Sequence, residues 1–331
     1  MDYLMDTQAH TVFLTGTGRS GTNILKKVLG SHSKAASLPF EYRFIIDPDG
    51  IVDFYNSYPV VWSPYRADKQ IKRLESFLLG LASLDLDKES RAAKALSADP
   101  QGLELTPPPY SGWELEKWIP GFTEASKHLI NDLSQFGYSA VWPGSKEGVN
   151  RNEMYFQTPK TKEELKPIIS AYLNFCLNAI VNAQNKEVFI EDNTHNLLFA
   201  NDLLELVDNS KMIHVIRDPR DVVSSLIQQR WAPKELEKAI EWYGALMDHW
   251  LEIRKHTPSD RLLEIRFEDL IHQREETLSD VCSFIGIEIE QPLREIDMSN
   301  HHIGRHESDL SLEQINLMNN RLARIIETYN Y

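Results

Sequence analysis

The stretch Thr11–Gly30, TVFLTGTGRSGTNILKKVLG, decides the fold. It opens with an apolar run of strand type, Thr11 to Thr15, passes through a glycine-rich turn, and continues as an amphipathic segment from Asn23 to about Leu29. Strand, loop and helix in that order bring backbone N–H groups to a helix N-terminus, where unsatisfied donors and the macrodipole favour an anion.

Different phosphate ligands would give the same glycines different jobs. Gly16, Gly18 and Gly21 satisfy G-x-G-x-x-G, and Glu41 lies twenty residues beyond Gly21, where a dinucleotide fold carries its ribose-binding acid. Yet Glu41 stands in SLPFEYRF, two positions after Pro39, and not at the end of a clear second strand. Gly16 and Gly21 also have Walker spacing, but Thr22 and Asn23 occupy the positions where a magnesium NTPase needs Lys and then Ser or Thr. What remains is a nest of N–H groups and hydroxyls over Thr17, Gly18, Arg19, Ser20, Gly21, Thr22 and Asn23, suited to a terminal phosphate held without metal.

A second motif, IHVIRDPRDVVSSL over Ile213–Leu226, separates these readings. Its strand ends at Arg217, Asp218 is an N-cap, Pro219 is the first helical residue, and the helix runs through Ser224 and Ser225. Ser225 is seven residues beyond the cap, nearly two turns, so its hydroxyl returns to about the same helix face and can share a phosphate with Arg217. The plainer alternative is an Arg217–Asp221 pair on a routine capped helix. Two anion sites at the ends of parallel strands suit a nucleoside phosphorylated at both ends.

With both motifs in view, the chain resembles the sulfotransferases that use 3'-phosphoadenosine 5'-phosphosulfate (PAPS) and release adenosine 3',5'-bisphosphate (PAP). GTGRSGTN is similar to their 5'-phosphosulfate loop, and RDPRDVVSS to their 3'-phosphate motif, which implies that Arg217 and Ser225 bind that phosphate. LLEIRFEDLIHQREETLSDVCSFIGI resembles the strand and helix beside the nucleotide, implicating Phe267, and GRHESDLS resembles a late nucleotide-binding loop, with Arg305 as a phosphate ligand. The resemblance spans Thr11 to Phe44 and about Lys186 to Ser311. It implies a P-loop-like sulfotransferase fold and metal-independent in-line transfer, governed by positioning and by positive charge at the leaving group. Arg19 supplies that charge.

FEYRF resembles the Glu-x-Arg element of the tyrosylprotein branch, which implies Glu41 as general base and Arg43 as its partner. His195 is the rival base. The strand of FIEDNTHN carries a Lys in many relatives, whereas this chain has Asp192 there. Two other classes stay open: a nicotinamide oxidoreductase, and a nucleotide-binding protein without catalysis.

Along the rest of the chain, strands alternate with helices, indicating a three-layer α/β domain: a parallel sheet with helices on both faces. Thr161 with Glu164, and Ser311 with Gln314, have capping-box spacing ahead of helical patterns. We expect one domain over residues 1–331, with an irregular insertion at 99–156 whose Tyr110, Trp113, Trp118 and Trp142 form an acceptor wall or lid. His301, His302 and His306 flank Gly304 without a partner carboxylate or thiolate pattern, so no metal site is expected.

Composition narrows the class further. At 331 residues and 42% hydrophobic content, the chain can bury a core without staples, and its two cysteines, Cys176 and Cys282, read as packed free thiols. An acidic N-terminus and the lack of about 18 consecutive apolar residues point to a cytoplasmic protein without a membrane span. The net charge of -14 disfavours nucleic acid and polyanionic acceptors. It suits a small-molecule acceptor, neutral or cationic: an alcohol, phenol or amine, a guanidinium alkaloid among them.

Overall fold

Strand β1, His10–Thr15, lies at the centre of a parallel sheet whose order is β2-β5-β1-β6-β7. The other strands are β2 (Ala35–Ser37), β5 (Val188–Asp192), β6 (Ser210–Ile216) and β7 (Leu262–Arg266), of which β5 and β6 flank β1. The computed structural model describes residues 9–41, 43–82, 113–140, 153–299 and 301–331. These fall into two compact units, Arg43–Asn185, and Ala9–Tyr42 with Lys186–Tyr331, each taken over its described residues.

In the sheet unit, side chains of β1 and β6 are buried on both faces, as parallel strands between helical layers require. Val12, Leu14, Ile190, Ile213 and Val215 meet Leu25, Val28 and Leu29 of the helix Thr22–Leu29 and Leu278, Val281 and Ile285 of the helix Arg274–Ile285. Side chains of opposite parity cover the other face. There His214 packs edge-on against Trp250 of the helix Leu236–Arg254, with centroids 4.9 Å apart.

Register decides what the sheet presents at its C-terminal edge. Leu14 pairs with Asp192, Thr15 with His214, and Ile216 with Arg266. The glycine loop, Asn193, Arg217 and Phe267 therefore all leave the same edge, where ligands bind in open α/β sheets. An edge strand that the sequence did not reveal, β2, precedes Glu41 but ends at Ser37, four residues before it; with only three residues it is too short to leave a pattern.

The unit Arg43–Asn185 is built from the helices Ile51–Ser57, Pro64–Ala82, Phe122–Asp132 and Lys162–Ala183 and an antiparallel pair, β3 (Phe136–Ser139) with β4 (Glu153–Phe156). Phe44, Phe122 and Tyr172 form an aromatic cluster, with Phe44 centroids 5.3 Å and 6.0 Å from the other two. The capping boxes at Thr161 and Ser311 are both formed.

The irregular reading of residues 99–156 needs correction where that span is described. Residues 115–118 and 122–132 are helical, and β3 and β4 follow. The longer helix starts beside clustered Pro, Gly and Trp because Gly121 adopts φ 86° and the Glu116 carboxylate accepts from the N–H groups of Gly121 and Thr123 at 2.9 and 2.7 Å. That cap reaches back from five to seven residues away, outside the usual local signature.

Both cysteines are buried and free, and burial raises both thiol pKa values. Among the described residues, no helix is long and apolar enough to cross a membrane.

Candidate functional site

The glycine loop takes its shape from left-handed backbone at Gly18, Arg19 and Gly21, with φ values of 75°, 62° and 107°. Glycine is required at Gly21, because an added Cβ would overlap the Phe267 ring. The helix Thr22–Leu29 begins directly at this turn, so its first N–H groups face the loop mouth. Thr17, Ser20 and Thr22 are buried within the loop, while Arg19 and Asn23 are exposed.

Arg19 does not stay beside its own loop. Its Nε donates to Ser225 Oγ at 2.9 Å, and Arg305 Nη1 donates to the same oxygen at 3.2 Å. Arg217 joins them by donating from Nη1 to the Arg19 carbonyl at 3.2 Å. Two guanidinium groups thus meet at one hydroxyl, and a third is bonded to the backbone of the first. Burial, followed by the charges of Arg305 and Arg217, lowers the pKa of Arg19.

The second motif forms the frame of this cluster. Asp218 caps the helix Pro219–Leu226 by accepting from Arg220 N at 2.9 Å, as the sequence pattern indicates. Arg217 pairs with Asp221 at 3.2 Å, donates to the His302 carbonyl at 2.5 Å, and lies over the Phe267 ring at 5.1 Å from its centroid. The simple Arg217–Asp221 pair of the plainer sequence alternative is therefore present. Asp221, fully buried, also accepts from Gly304 N at 2.7 Å, His306 N at 3.1 Å and His306 Nδ1 at 2.6 Å. Burial opposes its ionisation, but the bonds from His306 and Gly304 and the charge of Arg217 outweigh burial and hold its pKa below the ordinary value.

Asp221 thus folds the late loop back so that Arg305 reaches Ser225. Asp309 steadies Arg305 from the far side at 2.7 and 3.0 Å. His302 and His306 support this loop, and His301 Nδ1 accepts from Ile303 N at 3.1 Å. No cluster of three or more His, Cys, Asp or Glu side chains fit for a metal occurs among the described residues.

Beyond the loop, Thr194 Oγ1 donates to Glu41 Oε1 at 3.1 Å. Asp192, where the resemblance implies a Lys, sits 2.5 Å from the Lys26 ammonium group. Burial pushes the Asp192 pKa up to about 6 against the pull of Lys26, and pushes Glu191 up to about 8 with help from Asp192. The His195 backbone N–H donates to Asn193 Oδ1 at 3.3 Å, and its ring lies 6.2 Å from that of Trp242. Trp231, 53% exposed, lies 6.0 Å from Trp242, and a Cβ added to Gly18 would come within 2.7 Å of its ring.

Of the residues singled out by sequence, Thr17 to Asn23, Arg217, Ser225, Phe267, Arg305, Glu41 and His195 all belong to the sheet unit. Arg43 belongs to the other unit, where its Nη1 lies 3.7 Å from Asp47. Trp113 and Trp118 are in that unit as well, whereas Tyr110 and Trp142 lie outside the described residues. Sequence reasoning missed Lys26, Trp231 and the structural role of Asp221. Lys26 and Trp231 carry no motif, and Asp221 shows only as the partner of Arg217.

Comparison with known proteins finds similarity to sulfotransferases. A 3-alpha-hydroxysteroid sulfotransferase from Cavia porcellus is 29% identical over 93 residues, covering 23% of this chain and 31% of that protein's length. The sulfotransferase domain of the curacin biosynthetic pathway is 17% identical, with 91% of this chain and 82% of that one covered at a TM-score of 0.41. Sulfotransferase STF1 of Mycobacterium tuberculosis H37Rv is 13% identical, with 97% and 78% covered at a TM-score of 0.45. The profile of the Sulfotransferase family matches residues 93–291, more than half of the chain and including the Arg217–Ser225 motif, and the chain belongs to that family.

Proposed function

We propose that this protein transfers the sulfuryl group of PAPS to a hydroxyl or amine of a small molecule, releasing PAP. The observation that carries the reading is the convergence of Arg19 and Arg305 on Ser225 Oγ, with Arg217 bonded to the Arg19 backbone. Like charges held this close are relieved by a dianion, and guanidinium forks match phosphate geometry. The glycine loop contributes backbone N–H groups for the second phosphate, so a nucleoside phosphorylated at both ends accounts for both features. A nicotinamide cofactor would leave the Arg217–Ser225–Arg305 set without a role.

Transfer then proceeds in line at sulfur. The acceptor oxygen or nitrogen forms the new bond to sulfur as the bond to the phosphate oxygen breaks, and PAP leaves with the bonding electrons. Glu41 takes the acceptor proton, held by Thr194 at 3.1 Å. Loop N–H groups and Arg19, turned from Ser225 towards the breaking bond, stabilise charge on the leaving oxygen. Arg43 is the partner of Glu41 implied by the family pattern, and His195 is the alternative base. Trp231 and Trp242 offer an aromatic surface beside Gly18. With a net charge of -14, that surface suits a neutral or cationic acceptor, including one held by cation–π contact.

Thermal unfolding with PAP, with NAD, and with ATP and magnesium tests the donor. A ligand at about 100 times its dissociation constant adds roughly 2.7 kcal/mol, so PAP without metal is expected to raise Tm clearly. Stabilisation by NAD alone would overturn the reading. Glu41→Gln is expected to keep PAP affinity and lose most turnover; a rate near wild type removes Glu41 from the mechanism.

A further inference from the structure

We propose that Lys26 is a positioning residue for the transfer reaction, tying the end of β5 to the segment that carries Glu41. This rests on the reading of Glu41 as general base. The Lys26 Nζ lies 2.5 Å from Asp192 Oδ1 and donates to the Phe40 carbonyl at 3.2 Å. Phe40 is the residue before Glu41, and Thr194, two residues after Asp192, donates to the Glu41 carboxylate. The Glu41 segment is therefore held at its main chain by Lys26 and at its side chain by Thr194. Both ties refer to the same stretch of β5 and the turn after it.

The geometry explains why a lysine on this helix acts on the base. Lys26 is four residues beyond Thr22, one helical turn from the glycine loop and on the same face. Leu14, one residue before the end of β1, is the register partner of Asp192. One short helix thus sets the distance between the donor loop and the base. Its lysine has little freedom to leave, since the side chains of Lys26 and Asp192 are 13% and 3% exposed and a buried carboxylate without its cation is costly. The ammonium group is occupied by the Phe40 carbonyl and Asp192, so it acts through Glu41 and not on the substrate.

The test measures PAP release from PAPS with 4-nitrophenol, a primary alcohol and a primary amine as acceptors, alongside PAP affinity by calorimetry, on the full chain. With the best acceptor, Lys26→Met is expected to lower kcat by about 10- to 100-fold, the cost of a base displaced by about 1 Å. PAP affinity should stay within about threefold, and Lys26→Arg should recover most of the rate. In the Glu41→Gln background, Lys26→Met should cost less than about threefold more, because the two changes remove one function. Should Lys26→Met fail to fold, Lys26→Met with Asp192→Asn removes both charges together and is expected to show the same kcat loss.

A wild-type kcat in the lysine variants, with Glu41→Gln inactive, overturns the role of Lys26 and leaves the base in place. Fully additive losses in the double variant do the same. A near wild-type rate for Glu41→Gln overturns the base and this inference with it, and no turnover with any acceptor overturns the proposed reaction itself.

Discussion

Arg19 Nε donates to Ser225 Oγ at 2.9 Å although 206 residues separate them in the chain. The contact joins the glycine loop to the helix Pro219–Leu226 and gives the hydroxyl two guanidinium partners, the other being Arg305. A hydrogen bond to a charged group contributes about 1.5–3 kcal/mol. Ser225→Ala is therefore expected to weaken PAP binding by roughly 10- to 100-fold in calorimetry. NAD affinity, if measurable, should not follow it.

Asp221 is expected to be the most sensitive polar residue of the site. It is fully buried and balances Arg217 while accepting from Gly304 and His306. Asp221→Asn keeps the volume but leaves a buried cation without its counter-charge, at a cost of about 3 kcal/mol in denaturant unfolding. Because the folded-state pKa of Asp221 is depressed, its contribution is present above the ordinary Asp value and is lost as pH falls through the folded value. The destabilisation by Asp221→Asn should therefore be full at pH 7 and shrink in strong acid.

The two left-handed glycines of the loop should respond unequally. At Gly21 a methyl group meets the buried Phe267 ring and φ is 107°, so Gly21→Ala should lower Tm by several degrees and abolish measurable PAP binding. At Gly18 the nearest atom belongs to Trp231, which is 53% exposed and has room to turn away. Gly18→Ala should cost only the left-handed backbone term, about 1–2 kcal/mol. Equal losses of stability would refute this account of the loop.

Substitution of Trp231 is expected to separate acceptor recognition from donor binding. Trp231→Ala should change stability by no more than about 0.5 kcal/mol, as for an exposed side chain. It should raise the acceptor KM about tenfold, most for cationic or aromatic acceptors, with PAP affinity unchanged. A shift in PAP affinity without a change in acceptor KM would instead assign the ring to the nucleotide.

Stability should fall from mildly acidic to mildly alkaline pH. Burial raises Glu191 to about 8 and Asp192 to about 6, so the folded state holds protons that the unfolded chain has released. For a raised carboxyl pKa, stability is greatest below the unfolded value and declines until the folded value is passed. The window therefore opens near the ordinary carboxylate pKa and closes near pH 8. Glu191→Gln should flatten the upper part, stabilising the protein at pH 9 by on the order of a few kcal/mol and changing little at pH 4. Urea unfolding across this range measures the difference.

Much of the secondary structure in both units was legible because its signals are local. The strand, glycine turn and helix at Thr11–Leu29, the Asp218 cap with Pro219, and the boxes at Thr161 and Ser311 each depend on residues within a few positions of one another. Propensity and capping act at that range. The short edge strand β2 and the helix Phe122–Asp132 escaped for the opposite reason. Three residues carry no period, and the Glu116 cap acts from outside the usual window.

The sequence alone determined which groups were available: a glycine-rich turn before a helix without the Lys and Ser or Thr of a magnesium NTPase, an arginine ahead of a capped helix and a serine within that helix, and a glutamate after the first helix. Tertiary structure alone decided how those groups combine. Parallel register brings the ends of β1, β5, β6 and β7 to one edge, so Arg19 meets Ser225 and Lys26 meets Asp192 across separations that no sequence window spans. Local backbone preference is written residue by residue, whereas the distance between two charges depends on every strand and helix packed between them.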